Sequence, residues 1–328
     1  MNLTKSLVAI SALLTLSTAQ AQTVDLSTYS VSGIYGLATS GGVSGLEASA
    51  VTYASDRNSL FFVGDEGTGI IEMSLTGQTL GYMNFDWAGT GSSKNDTEGL
   101  AYLGNGELAV GEERLQDIYK FTYINGGTAT LADSFVSISN TSVGNNGMEG
   151  ISYDPRDGSF VSIKQQSPED IQSGTLTFAA ATGGLPSSLP SNGISPTGGG
   201  ISSMINLFDP TLLGLSTLSD VQTLGILGSD DLLILSLGSK KLVTANRSGS
   251  LLSSFDLSNI LPNNAIEGVT IDGNGTIYLV AEQLQDSYAL GGDQSQLIVL
   301  TAVPEADTYA MMLAGLSIMG FVTRRKKA

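Results

Sequence analysis

An acidic phrase recurs along this chain, and each copy opens an apolar run. The copies lie at residues 97–102, 148–153 and 266–271, with weaker versions at 49–53 and 222–226. The weaker versions carry their acids two residues earlier, at Glu47 and Asp220, which keeps those side chains on the same face of a strand. Equivalent residues are about 49, 51, 73 and 45 positions apart. A period near 50 residues in strand-like units is typical of a propeller or another repeat array.

Each unit also predicts its own strands. A turn rich in Asn, Asp and Gly follows the first apolar run, as at 104–106 and 272–275, and such turns favour hairpins. A second apolar run, a polar pair and two further runs complete the unit, and four short strands make one propeller blade. The sequence therefore predicts an all-β, five-bladed β-propeller of four-stranded antiparallel blades over residues 22–302. Residues 24–37 are expected to supply a strand that closes the ring.

One segment breaks the period. Residues 173–218 are rich in Gly, Ser and Pro, and we interpret them as an insertion between strands of the third blade. The alternative is a sixth blade inside this segment. Residues 201–215 offer apolar side chains for such a blade, but they lack the acidic opening and a hairpin turn.

The two ends of the chain predict export. Residues 1–21 combine Lys5, a short apolar stretch and Ala19-Gln20-Ala21, the pattern of a secretory signal peptide that signal peptidase removes. Residues 303–328 begin with Val303-Pro304-Glu305, continue with an apolar stretch at 309–322 and end in four basic residues.

This tail resembles a PEP-CTERM sorting signal, although Ala306 stands where the family usually has Pro. The resemblance implies a Gram-negative bacterium, recognition by an exosortase, and transient membrane anchoring by 309–322 before secretion or transfer to the cell surface. The basic end fits a segment that stays in the cytoplasm until processing. The alternative is a permanent single-pass transmembrane anchor.

The amino-acid composition limits the kinds of binding and catalytic site that the chain can form. The chain has no Cys and no His, and its net charge is −17. Without the two terminal segments, nine basic and 29 acidic residues remain, a net charge of about −20. Nucleic-acid binding is not expected, because phosphate contacts require Lys and Arg. A Ser-His-Asp triad is excluded by the lack of His.

The recurring acids predict a metal site. If first strands line the central channel, equivalent positions form a ring, and a second ring follows each second strand. Carboxylates gathered this closely repel one another by roughly 4 kcal/mol per pair at about 4 Å and an effective dielectric near 20, so they need protons or a cation. Oxygen ligands without His or Cys favour calcium. The predicted ligands are Glu47, Ser49, Asp65, Glu98, Glu112, Glu149, Glu267 and Glu282. The alternative is that these acids cap strand ends.

The units also resemble the SdiA-regulated (YjiK-like) propeller domain. The segments that carry the resemblance are 47–53, 62–66, 97–102, 110–114, 148–155 and 266–269. The resemblance implies a five-bladed propeller with bound calcium and brings no defined activity. The fourth blade departs from the family pattern at 220–223 and at Leu237, and Lys164 departs in the third.

Together these features predict an exported, non-catalytic calcium-binding propeller that binds an extracellular polysaccharide or another surface partner. The alternative is a calcium-dependent propeller hydrolase of the esterase, lactonase or phytase type, in which the metal would polarise an ester or phosphate.

Overall fold

The computed structural model describes residues 23–139, 143–166, 168–188, 194–262, 264–282 and 294–303. The predicted signal peptide and the apolar stretch at 309–322 lie outside these residues. Within the described part of the chain, no helix is both long and apolar enough to cross a membrane.

Strand β1 (Tyr29–Gly36) comes first in the described chain. The main strands form five antiparallel sheets, which we call blades, and the strands of each blade are hydrogen bonded in the order given below. Blade 1 consists of β2 (Ala48–Ala54), β3 (Ser59–Gly64), β4 (Gly69–Met73) and β5 (Thr79–Asp86). Blade 2 consists of β6 (Thr97–Gly104), β7 (Glu107–Glu112), β8 (Asp117–Thr122) and β10 (Phe135–Ser137), while β9 (Thr128–Thr130) pairs in parallel with β5.

Blade 3 consists of β11 (Met148–Tyr153), β12 (Phe160–Lys164), β13 (Asp170–Gly174) and β18 (Ile205–Phe208). Two small sheets lie between its last two strands, β14 (Leu176–Thr177) with β17 (Ile201–Ser202), and β15 (Ala181–Ser188) with β16 (Ile194–Gly198). The break in the sequence period therefore falls inside blade 3, and its strands form no sixth blade in the described residues.

Blade 4 consists of β19 (Leu218–Thr223), β20 (Leu232–Ser236), β21 (Lys241–Ala245) and β22 (Leu251–Asp256). Blade 5 consists of β23 (Ile266–Ile271), β24 (Ile277–Ala281), β25 (Gln296–Ala302) and the N-terminal β1, which closes the ring as predicted. Short 3-10 helices lie at Leu26–Thr28, Leu131–Asp133, Pro210–Leu213 and Leu224–Leu227. The prediction of a five-bladed propeller with four-stranded blades is confirmed.

The hydrophobic core is divided among the five interfaces between neighbouring blades. Successive side chains of a strand point to opposite faces of its sheet, so one strand serves two interfaces. In β3, Phe61 packs towards blade 2 and Phe62 packs towards blade 5. Both rings are fully buried, and burying such a ring stabilises the fold by about 1.5–3 kcal/mol.

All five first strands carry a β-bulge at the same register. In blade 3, Met148 pairs with Lys164 and Gly150 pairs with Ile163, which leaves Glu149 unpaired between them. The bulge falls at the equivalent position of every first strand, and the bulged residues are Ser49, Glu98, Glu149, Ser219 and Glu267. A bulge bends its strand and redirects the extra side chain. The side chain at this position therefore points in a different direction from those of its neighbours in the strand.

The next residue of each first strand is small in four blades, because the strands approach closely at the axis. These positions, which we call the closing layer, are Ala50, Gly99, Gly150, Asp220 and Gly268. A Cβ at Gly268 would lie 2.9 Å from the Cα of Ala50 and 2.9 Å from the amide nitrogen of Val51. The Glu-Gly phrase therefore combines a redirected acid with a residue that has no side chain to collide.

The register corrects the sequence alignment of blade 4. The sequence placed Gln222 in the acidic column, but the bulged residue is Ser219, three positions earlier. Residues 224–226, interpreted as part of an apolar strand, lie in the 3-10 helix Leu224–Leu227. The Glu-Gly phrase is absent from this blade, so the sequence offered no marker for its register.

The closing layer generates a stability prediction. A Cβ at Gly150 would lie 2.8 Å from the Cα of Asp220 and 3.0 Å from the amide nitrogen of Val221, and it would also collide with the Asp220 carboxylate. We expect Gly150→Ala to lower the free energy of unfolding by about 1–3 kcal/mol, the usual cost of overpacking. Urea unfolding measures this change.

Gly273→Ala is the matched control, because a Cβ there meets no atom within 4 Å. It should be neutral, or stabilising by about 0.4–1 kcal/mol through the unfolded chain. Equal effects of the two substitutions would contradict the close approach at the axis.

Candidate metal centre

Three positions of each blade meet at one mouth of the channel: the bulge, the residue two before it, and the residue after the second strand. One hydrogen bond, repeated in every blade, joins the last two of these positions. The amide after the second strand donates to the carbonyl two residues before the bulge. Glu113 N donates to Asp96 O at 2.9 Å, and Glu282 N donates to Ala265 O at 2.9 Å. The same bond joins residues 65 to 47, 165 to 147 and 237 to 217.

Eight carboxylates occupy these positions. We call this set the acidic mouth: Glu98, Glu149 and Glu267 at the bulge, Asp65, Glu113 and Glu282 after the second strand, and Glu47 and Asp96 two residues before the bulge. Blade 4 places Thr217, Ser219 and Leu237 at its three positions. The acids therefore come from four blades.

Their oxygen atoms lie close enough to share one ion. One oxygen from each of Asp65, Asp96 and Glu98 lies within 4.8 Å of the other two. Glu47, Asp65 and the exposed Glu66 form a second such group. Asp65 belongs to both, and its Oδ1 is buried and accepts no hydrogen bond from the described residues. This oxygen lacks the partner that a buried acceptor normally has.

The carboxyl groups also bond to one another. Glu149 hydrogen bonds with Glu113, Glu267 with Glu282, and Asp65 with Glu47. Two ionised carboxylates cannot share a hydrogen bond, so each pair must hold a proton or be bridged by a cation.

The pKa values shift accordingly. Burial, together with the charge of Glu47, raises the pKa of Asp65 to about 8. Burial raises the pKa of Glu113 to about 7, against the opposing bonds from Glu149 and the Gly147 amide. Burial and neighbouring acids also raise the pKa values of Glu98, Glu149 and Glu267. Burial likewise raises the pKa of Glu282.

Six of the eight residues predicted as ligands lie at the acidic mouth: Glu47, Asp65, Glu98, Glu149, Glu267 and Glu282. The structure places Glu112 elsewhere. Its carboxylate accepts a 2.8 Å bond from Ser92 Oγ and a 2.6 Å bond from the Leu115 amide. It pairs with Thr97 within the sheet and is buried. Glu112 therefore caps a turn, as the alternative of strand-end capping describes.

Ser49 occupies the bulge, but its Oγ donates to the carbonyl of Glu47 at 2.9 Å. Asp220 was expected to face the channel with the other acids. It lies in the closing layer, where its Oδ2 accepts the Val269 amide at 2.7 Å and its Oδ1 accepts the Val221 amide at 2.8 Å. Burial raises the pKa of Asp220 while these two bonds lower it. Asp220 thus joins blades 4 and 5 through backbone bonds.

Three acids at or beside the mouth were not predicted as ligands from the sequence: Asp96, Glu113 and Glu66. The doublet Glu112-Glu113 shows the difficulty, because the strand ends between the two and only the second acid reaches the mouth. In blades 1 and 5 the corresponding acid also follows the last strand residue, at Asp65 and Glu282. Aligning the unit on the residue after the strand would have selected Glu113.

A guanidinium also contacts the acidic mouth. Arg114 pairs with Asp96 at 2.6 Å, and its guanidinium also donates to Asn145 Oδ1 at 2.6 Å. A single guanidinium cannot balance eight carboxylates. The arrangement is chemically suited to a hard cation held by oxygen atoms.

The shifted pKa values predict how the metal-free protein responds to pH. Folding raises the pKa values of Asp65 and Glu113 above those of the unfolded chain, so the folded state binds more protons. This contribution to stability is complete below about pH 4 and is lost as the pH rises through 7 and 8. In chelator, the melting temperature should fall between pH 5 and pH 8.5.

Asp65→Asn and Glu113→Gln should each flatten that fall, since each removes one titrating group. Asp133→Asn, at an exposed position of the 3-10 helix Leu131–Asp133, should leave the slope as in the parent protein. A chelator-treated protein whose melting temperature is constant or rises over this range would contradict the assignment.

Residues 302–326 match the PEP-CTERM protein-sorting motif, which marks an exported protein. Among solved structures, the luciferin-regenerating enzyme is 11% identical with a TM-score of 0.44, covering 81% of this chain and 94% of that one. A chain of the nidogen/laminin complex is 13% identical with a TM-score of 0.45, covering 79% and 86%. The Cps50 (Swd1) β-propeller domain of Myceliophteria thermophila is 9% identical with a TM-score of 0.37, covering 82% and 73%.

These likenesses are too distant to inform function. The family model for SdiA-regulated proteins matches residues 35–284, a range that includes the first strand of every blade and all eight acids of the acidic mouth. The chain is a member of the SdiA-regulated family.

Proposed function

We propose that this exported propeller binds calcium at the acidic mouth and acts as a non-catalytic binding module at the cell surface or in the extracellular matrix. The observation that carries the proposal is the gathering of eight carboxylates from four blades, with a buried Asp65 oxygen that lacks a partner. A bound calcium ion would offset part of this negative charge and tie the blades together.

The donor set supports calcium over other metals. Every candidate ligand is a carboxylate, and the chain contains no His or Cys, the ligands that zinc, copper and iron sites commonly use. Asp65, Asp96 and Glu98 would be the central ligands. Calcium accepts six to eight oxygens in flexible geometry, whereas magnesium demands a near-ideal octahedron.

A calcium-dependent hydrolase is the alternative use of the same site. Such an enzyme needs groups that stabilise the charge that develops on its substrate. At the acidic mouth, the guanidinium of Arg114 already binds Asp96 and Asn145. An anionic ester or phosphate would meet mainly carboxylates there. This electrostatic balance favours a binding role.

The chain path suggests how the module is held before sorting is complete. Ala302 pairs with Tyr29, and the amide of Val303 donates to the carbonyl of Thr28 at 2.8 Å. Within blade 5, Leu300 pairs with Ile277 at the β23–β24 turn, whereas the acidic mouth lies at the other end of that hairpin. The sorting tail therefore leaves from the face opposite the acidic mouth.

Residues 303–308 separate that face from the apolar stretch at 309–322 and span at most about 20 Å when extended. While the stretch occupies the membrane, the acidic mouth would point away from the bilayer.

Calcium dependence is the first test of the proposal. Calcium added to chelator-treated protein should raise its melting temperature, because an ion at a hundredfold excess over its Kd stabilises the folded state by about 2.7 kcal/mol. Magnesium should have a smaller effect. Glu98→Gln and Glu267→Gln should each reduce the calcium shift.

Glu107→Gln serves as the control, because Glu107 binds Lys120 and opens the second strand at the other end of blade 2. Identical melting curves in chelator and in millimolar calcium would refute the metal site. Calcium-dependent hydrolysis of p-nitrophenyl butyrate that Glu98→Gln abolishes would establish the hydrolase instead.

The orientation of the membrane-anchored protein is the second test. The chain has no native cysteine, so a maleimide labels only a cysteine introduced by substitution. Lys94→Cys lies in the loop that leads to the acidic mouth, and Asn274→Cys lies on the β23–β24 turn; both positions are exposed. In spheroplasts of an exosortase-deficient host, a 5 kDa maleimide-polyethylene glycol should label Cys at 94 several-fold faster than Cys at 274.

A chain that ends at residue 303 provides the reference rates, and in it the difference should disappear. Faster labelling at 274 than at 94 in the anchored protein would show the opposite orientation.

A further inference from the structure

The channel has a second mouth, and it contains a cavity of about 110 Å³. All five blades contribute the fourth residue after their bulges, and four of them also contribute the third. We call it the tyrosine mouth; its inner ring includes Thr52, Ser152, Gln222 and Thr270, and its outer ring includes Tyr53, Tyr102 and Tyr153. The closing layer separates this cavity from the acidic mouth.

The floor of the cavity is a fixed polar network. Gln222 Nε2 donates to Ser152 Oγ at 2.9 Å and to the Thr223 carbonyl at 2.9 Å. Its Oε1 accepts the Thr270 hydroxyl at 3.0 Å. The amide of blade 4 therefore bridges to blades 3 and 5. A preformed network of this kind loses little entropy when a ligand binds.

Bonds between blades hold the rest of the ring. Thr52 Oγ1 accepts the Tyr102 amide at 3.1 Å, and Thr270 Oγ1 accepts the Tyr53 amide at 3.1 Å. The Thr52 hydroxyl hydrogen has no acceptor among the described residues. It is therefore free to donate to a ligand oxygen.

The aromatic rings at the rim are braced by the core. Tyr102 stacks on Phe61 with ring centroids 6.1 Å apart, and its hydroxyl binds Asp56 at 2.5 Å. Tyr153 leans on Phe160 at 5.2 Å. Rigid aromatic faces beside fixed hydroxyl and amide groups are suited to a ligand with both apolar and hydroxylated surfaces.

The lining of the cavity carries no charge. Every residue that lines it has a neutral side chain, although the chain as a whole has a net charge of −17. A phosphate or carboxylate ligand would find no cation there. A neutral, hydroxyl-rich ring satisfies both the polar floor and the aromatic rim.

We propose that the tyrosine mouth binds a neutral sugar residue, such as the end of a neutral polysaccharide chain. This inference rests on the proposed role as a binding module and names its ligand class. The sugar hydroxyls would accept from the Thr52 hydroxyl and donate to Oε1 of Gln222, which accepts one bond from Thr270 and can accept a second. The sugar ring would stack against Tyr153.

Ligand-observed NMR provides the test, with methyl β-glucoside, methyl α-mannoside and methyl β-galactoside as probes at up to 50 mM. At least one probe should bind with a Kd of about 1–10 mM, a binding free energy of about −4.1 to −2.7 kcal/mol. Tyr153→Ala and Gln222→Leu should each weaken that binding at least fivefold. Tyr82→Ala, on the outer strand of blade 1, should leave it unchanged.

The same measurement in chelator and with Glu98→Gln separates the two proposals. Sugar binding that persists under both conditions supports an independent tyrosine mouth, even if calcium proves not to stabilise the protein. The inference would be overturned if no probe binds at 50 mM, if binding survives both cavity substitutions, or if binding requires calcium and Glu98. Tetramethylammonium that binds in place of the sugars would also overturn it, because it would show a cation cage.

Discussion

The close approach of five first strands at the axis is the constraint on which the rest of this structure depends. Gly268 lies so near Ala50 and Val51 that a Cβ would collide with their backbone. Such strands cannot also place large side chains between them, so the neighbouring position bulges and sends its side chain to the channel mouth. The Glu-Gly phrase is the sequence form of this arrangement, with the acid at the bulge and the glycine at the contact.

Gathering the acids costs stability that the five interfaces between blades must offset. Each interface buries its own hydrophobic cluster, and the acidic mouth lies outside these clusters. The mutual bonds of Glu113 with Glu149 and of Glu267 with Glu282 require shared protons in the absence of an ion. Charge repulsion is therefore concentrated at one mouth, where a single bound cation can relieve it for four blades together.

The sequence predicted the fold well because the repeat is strong where packing is strictest. The turns, the paired apolar runs and the closing strand all follow from local patterns. The ligand set was harder to predict, because a bulge leaves no mark of its own in the sequence. Glu112 and Glu113 are adjacent, yet one caps a turn and the other reaches the acidic mouth. In blade 4 the phrase is missing, so Gln222 was aligned three residues away from its true register.

That same blade divides the axis into two parts. Its closing-layer residue is Asp220 where the other blades have Gly or Ala, and the carboxylate binds the amides of Val221 and Val269. Two residues further along the same strand, on the side of the tyrosine mouth, the Gln222 amide bonds to both Ser152 and Thr270. Blade 4 gives no acid to the acidic mouth, but it supplies the polar groups that fill the axis beneath it. The Asp220 carboxylate and the Gln222 amide lie between the charged acidic mouth and the neutral tyrosine mouth. Because they separate the two, the chemistry at one mouth differs from the chemistry at the other.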